Sequence, residues 1–153
     1  MIYFFIYTIV SIAVSNSTDS VLNNYPIGTD QYVQFRLPAY LNEISGLTVS
    51  NDGRLFAHND EKAAIYEIDY NTSVVKKTFY LGSLTINRDF EDIALAGKIF
   101  YLITSSGVIY KFEEGTDGNN VDYEIIDLKI SDKFNIEGLC YDPSENSLLI
   151  ASK

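Results

Sequence analysis

The sequence predicts an all-β chain of β-propeller type, made of four-stranded antiparallel blades and incomplete, with about two and a half blades present. Three observations lead there. A short motif occurs at residues 43–49, 89–95 and 135–142, and its members Ser45, Glu91 and Glu137 stand 46 residues apart at each step (45 to 91, 91 to 137). A fixed period of this size marks arrays of one supersecondary unit. After each motif the chain reads as strand, polar turn, strand. The composition agrees: 12 Tyr and 9 Phe suit pleated, half-buried surfaces, and no window carries a capped helical apolar stripe.

Residues 1–14 are apolar, and Ala13, Val14 and Ser15 offer small side chains before Asn16, so residues 1–15 are expected to be a signal peptide, although no Lys or Arg precedes the apolar run. Residues 16–30, rich in Ser, Asn, Thr and Asp, read as a linker. The partial propeller is expected over 31–153. It opens with an alternating strand at 32–37 that stops at Pro38. The first repeat covers about 43–82, with a turn at Asn51-Asp52-Gly53 and further strands at 64–68 and 74–80. The second covers about 89–130, with a turn at Ala96-Gly97 and strands at 108–112 and 121–128. The third starts at Asn135, turns through 142–146 and reaches Lys153 after two strands. Closed rings hold about four to eight blades, so the chain reads as a truncated part of a longer ring. Alone, it is expected to oligomerise or aggregate through open sheet edges and faces.

A formal net charge of −10 repels phosphate backbones and excludes nucleic acid as a partner. One Cys rules out an internal disulfide, and Cys140, inside an apolar strand, is expected to be a buried, inert thiol. His58 is the only His and no nucleophile-elbow pattern is present, so no catalytic residue is expected.

The informative polar residues are carboxylates. Glu91 and Glu137 hold the same position in adjacent repeats, where the innermost strand begins. Carboxylates gathered about an axis suit a hard cation with oxygen ligands, and Ca2+ tolerates irregular cages. Glu91, Glu137, Asp60 and Glu61 are therefore the expected metal ligands. Ser45 is the uncharged third equivalent, with Glu43 nearby. Asn59, Asp60 and Glu61, matched by Thr104, Ser105 and Ser106 in the second repeat, are oxygen-bearing loop residues that could complete coordination. Bonding of these loop residues to their own turns is the competing reading. Asp92 is expected to bond backbone amides of a neighbouring blade. Phe56 and Phe100, and Tyr66 and Tyr110, are expected at equivalent positions as filling between blades.

Leu41-Asn42-Glu43-Ile44-Ser45-Gly46-Leu47, with Asn59-Asp60-Glu61 and Ile65-Tyr66-Glu67-Ile68-Asp69, resembles the opening of the SdiA-regulated domain family. Asp89-Phe90-Glu91-Asp92-Ile93-Ala94 with Ser105-Ser106-Gly107-Val108-Ile109-Tyr110 continues the resemblance. Asn135-Ile136-Glu137-Gly138-Leu139-Cys140-Tyr141-Asp142-Pro143 with Leu148-Leu149-Ile150-Ala151-Ser152-Lys153 extends it to the end of the chain. The resemblance implies a six-bladed propeller of the bacterial cell envelope, extracytoplasmic and associated with the membrane through the envelope. It adds kinship in shape with calcium-containing propellers and leaves the activity open; the repeat, the signal-like start and the absence of a nucleophile point to a binding or scaffold role, with a small molecule or protein at the channel mouth. The alternative it leaves open is a metal-dependent hydrolase of esterase, lactonase or phosphatase type, with Glu91 and Glu137 as metal ligands.

Overall fold

A computed structural model describes residues 3–8, 36–130 and 134–153. Among these the chain is all β, with one short 3-10 turn at Ala39–Leu41 and no α-helix. Sheet 1 comprises β2 (Ile44–Val49), β3 (Leu55–Asn59), β4 (Ala64–Asp69) and β5 (Val74–Leu81) in sequential antiparallel order. Sheet 2 comprises β6 (Phe90–Ala96), β7 (Ile99–Thr104), β8 (Val108–Glu113) and β10 (Tyr123–Asp127), ordered the same way. Sheet 3 pairs β11 (Ile136–Asp142) with β12 (Ser147–Ser152), and β1 (Tyr3–Thr8) lies parallel to β12 on its other side. The segment between β1 and Arg36 lies outside the described residues, and with it most of the strand expected at 32–37.

The hairpin tips follow from turn chemistry. Each first-to-second-strand turn places one residue in the left-handed region: Gly53 at φ 83°, Gly97 at φ 66° and Asn146 at φ 46°. The strand expected at 121–128 is split. Asn120 and Val121 form β9, which crosses to pair in parallel with Tyr80 and Leu81 of sheet 1. Val121 packs on the core between sheets 1 and 2, and its carbonyl accepts from Gly82 N at 2.9 Å. Apolar burial thus draws this strand's start away from its own sheet.

The sheets pack face to face in sequence. Phe56, Phe79, Phe90, Phe100, Tyr110 and Phe112 fill the space between sheets 1 and 2. Phe56 meets Phe100 edge-on at 5.0 Å, and Phe100 stacks on Phe112 at 5.4 Å. Each fully buried ring contributes about 1.5–3 kcal/mol of transfer free energy. Between sheets 2 and 3 the filling is aliphatic: Ile103, Ile109, Ile136, Leu139, Leu148 and Ile150. One expectation needs correction. Strand register makes Leu55, not Phe56, the counterpart of Phe100, since Leu55 lies opposite Val49 and Phe100 opposite Leu95. Phe56 and Phe100 face each other across the interface instead of occupying equivalent sites. Tyr66 and Tyr110 are equivalent, opposite Ala57 and Leu102.

Two backbone steps repeat from sheet to sheet. The residue after each second strand donates to the residue before the first: Asp60 N to Glu43 O at 3.0 Å, Ser105 N to Asp89 O at 3.1 Å, Lys153 N to Asn135 O at 3.0 Å. The carbonyls of Asp60 and Ser105 then accept from the next sheet, from Phe90 N at 2.7 Å and Ile136 N at 3.0 Å. The innermost strands β2, β6 and β11 are consequently neighbours in chain order.

Candidate functional site at the first-strand ends

The three motifs converge on one end of this row of strands. Each first strand carries a register irregularity at the same place: between Ile44 and Gly46, between Phe90 and Asp92, and between Ile136 and Gly138. The bulged residues are Ser45, Glu91 and Glu137. A bulge leaves one residue unpaired and re-aims its side chain, so these three are set apart from the pleat at matched positions.

Glu91 is half-buried, and its carboxyl is pushed above the usual range, first by burial and then by the negative charges of Asp89, Glu137 and Asp60, with Lys153 opposing. Glu137 is exposed, accepts from Asn135 Nδ2 at 2.5 Å and faces Lys153 Nζ at 3.7 Å. Asp60 is half-buried and its Oδ1 is buried with no hydrogen-bond partner. Asp89 Oδ2 accepts from Ser105 Oγ at 2.6 Å. Glu61 is exposed; its backbone is engaged, donating to Asn59 Oδ1 at 3.2 Å and accepting from Arg88 N at 3.1 Å. The structure therefore brings Glu91, Glu137 and Asp60 into one electrostatic neighbourhood and leaves Glu61 at its rim. Asn59 and Thr104 are absorbed by their own turns: Asn59 Oδ1 also caps Lys62 N at 2.9 Å, and Thr104 Oγ1 accepts from Val108 N at 3.1 Å. The donor set is oxygen-rich and suits a hard cation. Among the described residues no three His, Cys, Asp or Glu side chains are already gathered as a metal cluster.

Beneath the carboxylates lies a pin that joins the sheets. Asp92 Oδ2 accepts from Leu139 N of sheet 3 at 2.7 Å, and Oδ1 accepts from its neighbour Ile93 N at 2.8 Å. The bond to a neighbouring sheet's amide is the one expected from the sequence. Burial raises the Asp92 carboxyl, and the two amides pull the other way. On the sheet 1 side the same carboxylate presses on Gly46, where a Cβ would also meet His58 Nε2 at 2.7 Å. Glycine is required there for close approach rather than for a special φ. His58 is fully buried; its Nδ1 donates to Asn59 O at 2.9 Å, and its Nε2 has no hydrogen-bond partner. Burial holds this imidazole below its ordinary value, against the carbonyls of Asn59 and Glu91 and the charge of Asp60. The Gly46–Asp92–Gly138 row was readable in the motif as Gly, Asp, Gly at one aligned position. The role of His58 was not, because it depends on cross-strand pairing with Gly46.

At the opposite end, by the hairpin tips, a cavity of about 650 Å³ is lined by Ser50, Asp52, Arg54, Lys98, Glu113 and Glu114. Its main cation is spoken for. Arg54 grips both oxygens of Glu114 at 2.6 and 3.0 Å and holds Asp52 at 2.9 Å, while Lys77 bonds Glu114 and Glu67. This network ties sheet 1 to sheet 2, and sequence reading gave no sign of it.

Cys140 corrects another expectation. It is exposed on β11, not buried, because no further sheet covers that face among the described residues. Residual burial together with Asp92 and Asp142 still raises its thiol.

The match to known families now has a structural frame. A family model described as SdiA-regulated matches residues 21–153, and the chain belongs to that family. A search of curated proteins gave no match. No helix among the described residues is long and apolar enough to cross a membrane.

Proposed function

We propose that this chain is part of an extracytoplasmic β-propeller that serves as a binding or scaffold module, with its ligand end at the bulged first-strand starts. The observation that carries the reading is the step repeated between sheets 1 and 2 and between sheets 2 and 3. In each, a carbonyl after the second strand reaches the next sheet's first amide, and the bulge recurs at Ser45, Glu91 and Glu137. Family membership supports the propeller and gives no chemistry of its own. The ligand at this end would be a small molecule or a protein segment.

A divalent cation, Ca2+, is the first candidate at this end. Asp60, Glu91 and Glu137 would supply the oxygens, with Glu61 at the rim. The crowding of negative charge on Glu91 and the orphaned Asp60 Oδ1 favour it. A cation would have to draw the carboxylates closer than they now stand. The test is thermal melting of the chain with Ca2+ and with chelator. Ca2+ should raise Tm and chelator should reverse it, with Glu91→Gln and Asp60→Asn shrinking the shift. No shift in any of these would remove the cation from the proposal. Assay against ester, lactone and phosphate panels serves as a second arm. Turnover that needs metal and is lost in Glu137→Gln would replace the scaffold role by a hydrolase.

A further inference from the structure

The loop between β4 and β5 carries a motif that neither the fold nor the candidate site uses. Asn71-Thr72-Ser73 is the acceptor pattern for N-linked sugars, and such triplets also arise by chance. Three observations set this one apart. First, Asp69 stands two places before Asn71, which meets the stricter acceptor pattern of bacterial-type transferases as well. The triplet Asn16-Ser17-Thr18, outside the described residues, has Val14 at that place. Second, the turn presents the triplet without consuming it. Asp69 Oδ1 accepts from Asn71 N at 3.0 Å and Thr72 N at 3.3 Å, and Asp69 O accepts from Ser73 N at 2.8 Å. With its amides held this way, the loop asks nothing of the Asn71 and Ser73 side chains, and neither is bonded among the described residues. Asn71 and Thr72 are exposed and Ser73 is half-buried. Third, a depression of about 260 Å³ lies beside Asn71, lined by Gly53, Leu55, Tyr70 and Lys76. Nothing stands within 4 Å of where a Gly53 Cβ would be, so that wall is open. Tyr70 is 47 % exposed and offers an apolar ring with a polar tip, suited to the C–H face of a sugar.

We infer that Asn71 accepts an N-linked glycan whose first sugar settles in this depression against Tyr70. The inference rests on the extracytoplasmic reading above, since lipid-linked sugars are transferred on that side of the membrane. The donor is an oligosaccharide carried on a polyprenyl pyrophosphate. Asn71 Nδ2 attacks its anomeric carbon. The C–N bond forms as the C–O bond to pyrophosphate breaks, the pyrophosphate leaves with the bonding pair, and one amide proton passes to solvent. The Ser73 hydroxyl, two places on, is the group that a transferase reads. The depression also touches Arg54 at the first hairpin tip, so it lies at the end opposite Glu91 and Asp60. A glycan there solubilises that end and leaves the carboxylates open.

The test combines purified chain, a bacterial-type oligosaccharyltransferase and a polyprenyl-pyrophosphate-linked oligosaccharide, read by mass spectrometry of tryptic peptide 63–76. Folded wild type should gain the mass of one oligosaccharide on that peptide. Asn71→Gln should gain none, and Ser73→Ala should lose most of the transfer; neither change breaks a bond of the turn, so folding should survive. No transfer to the folded chain, or transfer only after heat unfolding, overturns the inference. The glycosylated chain should melt above the unmodified one, and Tyr70→Ala should remove that gain. A gain that is absent, or that survives Tyr70→Ala, overturns the seating against Tyr70. Fractionation of a bacterium producing the full chain tells this failure from that of the extracytoplasmic reading. A chain found outside the cytoplasm that accepts no sugar in vitro rejects the glycan alone, whereas a chain confined to the cytoplasm rejects the two together.

Discussion

At the scale of single residues, Asp92 decides more than any other side chain. Its two oxygens satisfy two backbone amides, one of them in the next sheet, and its bulk demands a glycine at position 46. A carboxylate has two acceptors where a carboxamide has one. Asp92→Asn keeps the volume and turns an N–H donor toward one of those amides, leaving a partly buried donor facing a donor. The expected loss is about 1–3 kcal/mol of unfolding free energy, the cost of an unmet buried polar group. Urea unfolding monitored by circular dichroism reads it, and an unchanged midpoint would show that water already serves these amides. The sequence showed that Asp92 would reach across to another sheet, because an acidic residue replaced Gly at an aligned strand-start position. It could not show the neighbour that forces Gly46, since that depends on how closely β2 and β6 approach.

At the scale of elements, the bulge in each first strand matters more than the side chain it displays. Apart from β1 and β9, the strands, their order and their turns were legible from period-2 alternation and from Gly53, Gly97 and Asn146. The bulges were not, because one extra residue changes no composition and shows only in register. The alignment of Phe56 with Phe100 slipped for the same reason: a spacing counted along the chain does not see where pairing shifts. The exposure of Cys140 was hidden too, as apolar strand sequence reports a face fit for burial, not a partner covering it. If the slot is what counts, deleting Glu91 should be far worse than changing it. Deletion removes the extra residue between two anchored neighbours, Phe90, whose N donates to Asp60 O, and Asp92, whose carboxylate holds Leu139 N, so the shortened strand must give up one anchor or the other. The deletion variant should lose its cooperative thermal transition. Glu91→Gln should retain it, with Tm at neutral pH equal to or above wild type, since a carboxyl raised by burial and like charge is destabilised when ionised. Equal behaviour of the two variants would mean that the bulge is incidental.

At the scale of the whole molecule, the sheets are held in series by three kinds of contact at three depths. Amide-to-carbonyl steps and Asp92 act at the first-strand ends, aromatic rings act through the middle, and the Arg54–Glu114–Lys77 network acts by the hairpin tips. The last rests on ion pairs and so depends on the charge of Glu114. The Arg54 guanidinium, bonded to both Glu114 oxygens, and then Lys77, hold that carboxyl below its ordinary 4.5. A carboxyl depressed in the folded state contributes stability that is present above its unfolded value. That contribution fades as pH falls from about 4.5 through the lower folded value. Glu114→Gln should therefore cost stability at neutral pH, by about 1–3 kcal/mol, because two cations lose a charged acceptor in a partly buried setting. The variant should also lie closer to wild type as pH falls through that window, where wild-type Glu114 becomes neutral itself. Added salt should narrow the gap at neutral pH as well, since Arg54 is about one-third exposed at 35 %. A gap that stays constant across both titrations would place the effect in the packing and hydrogen bonding of the Glu114 side chain, not in its charge.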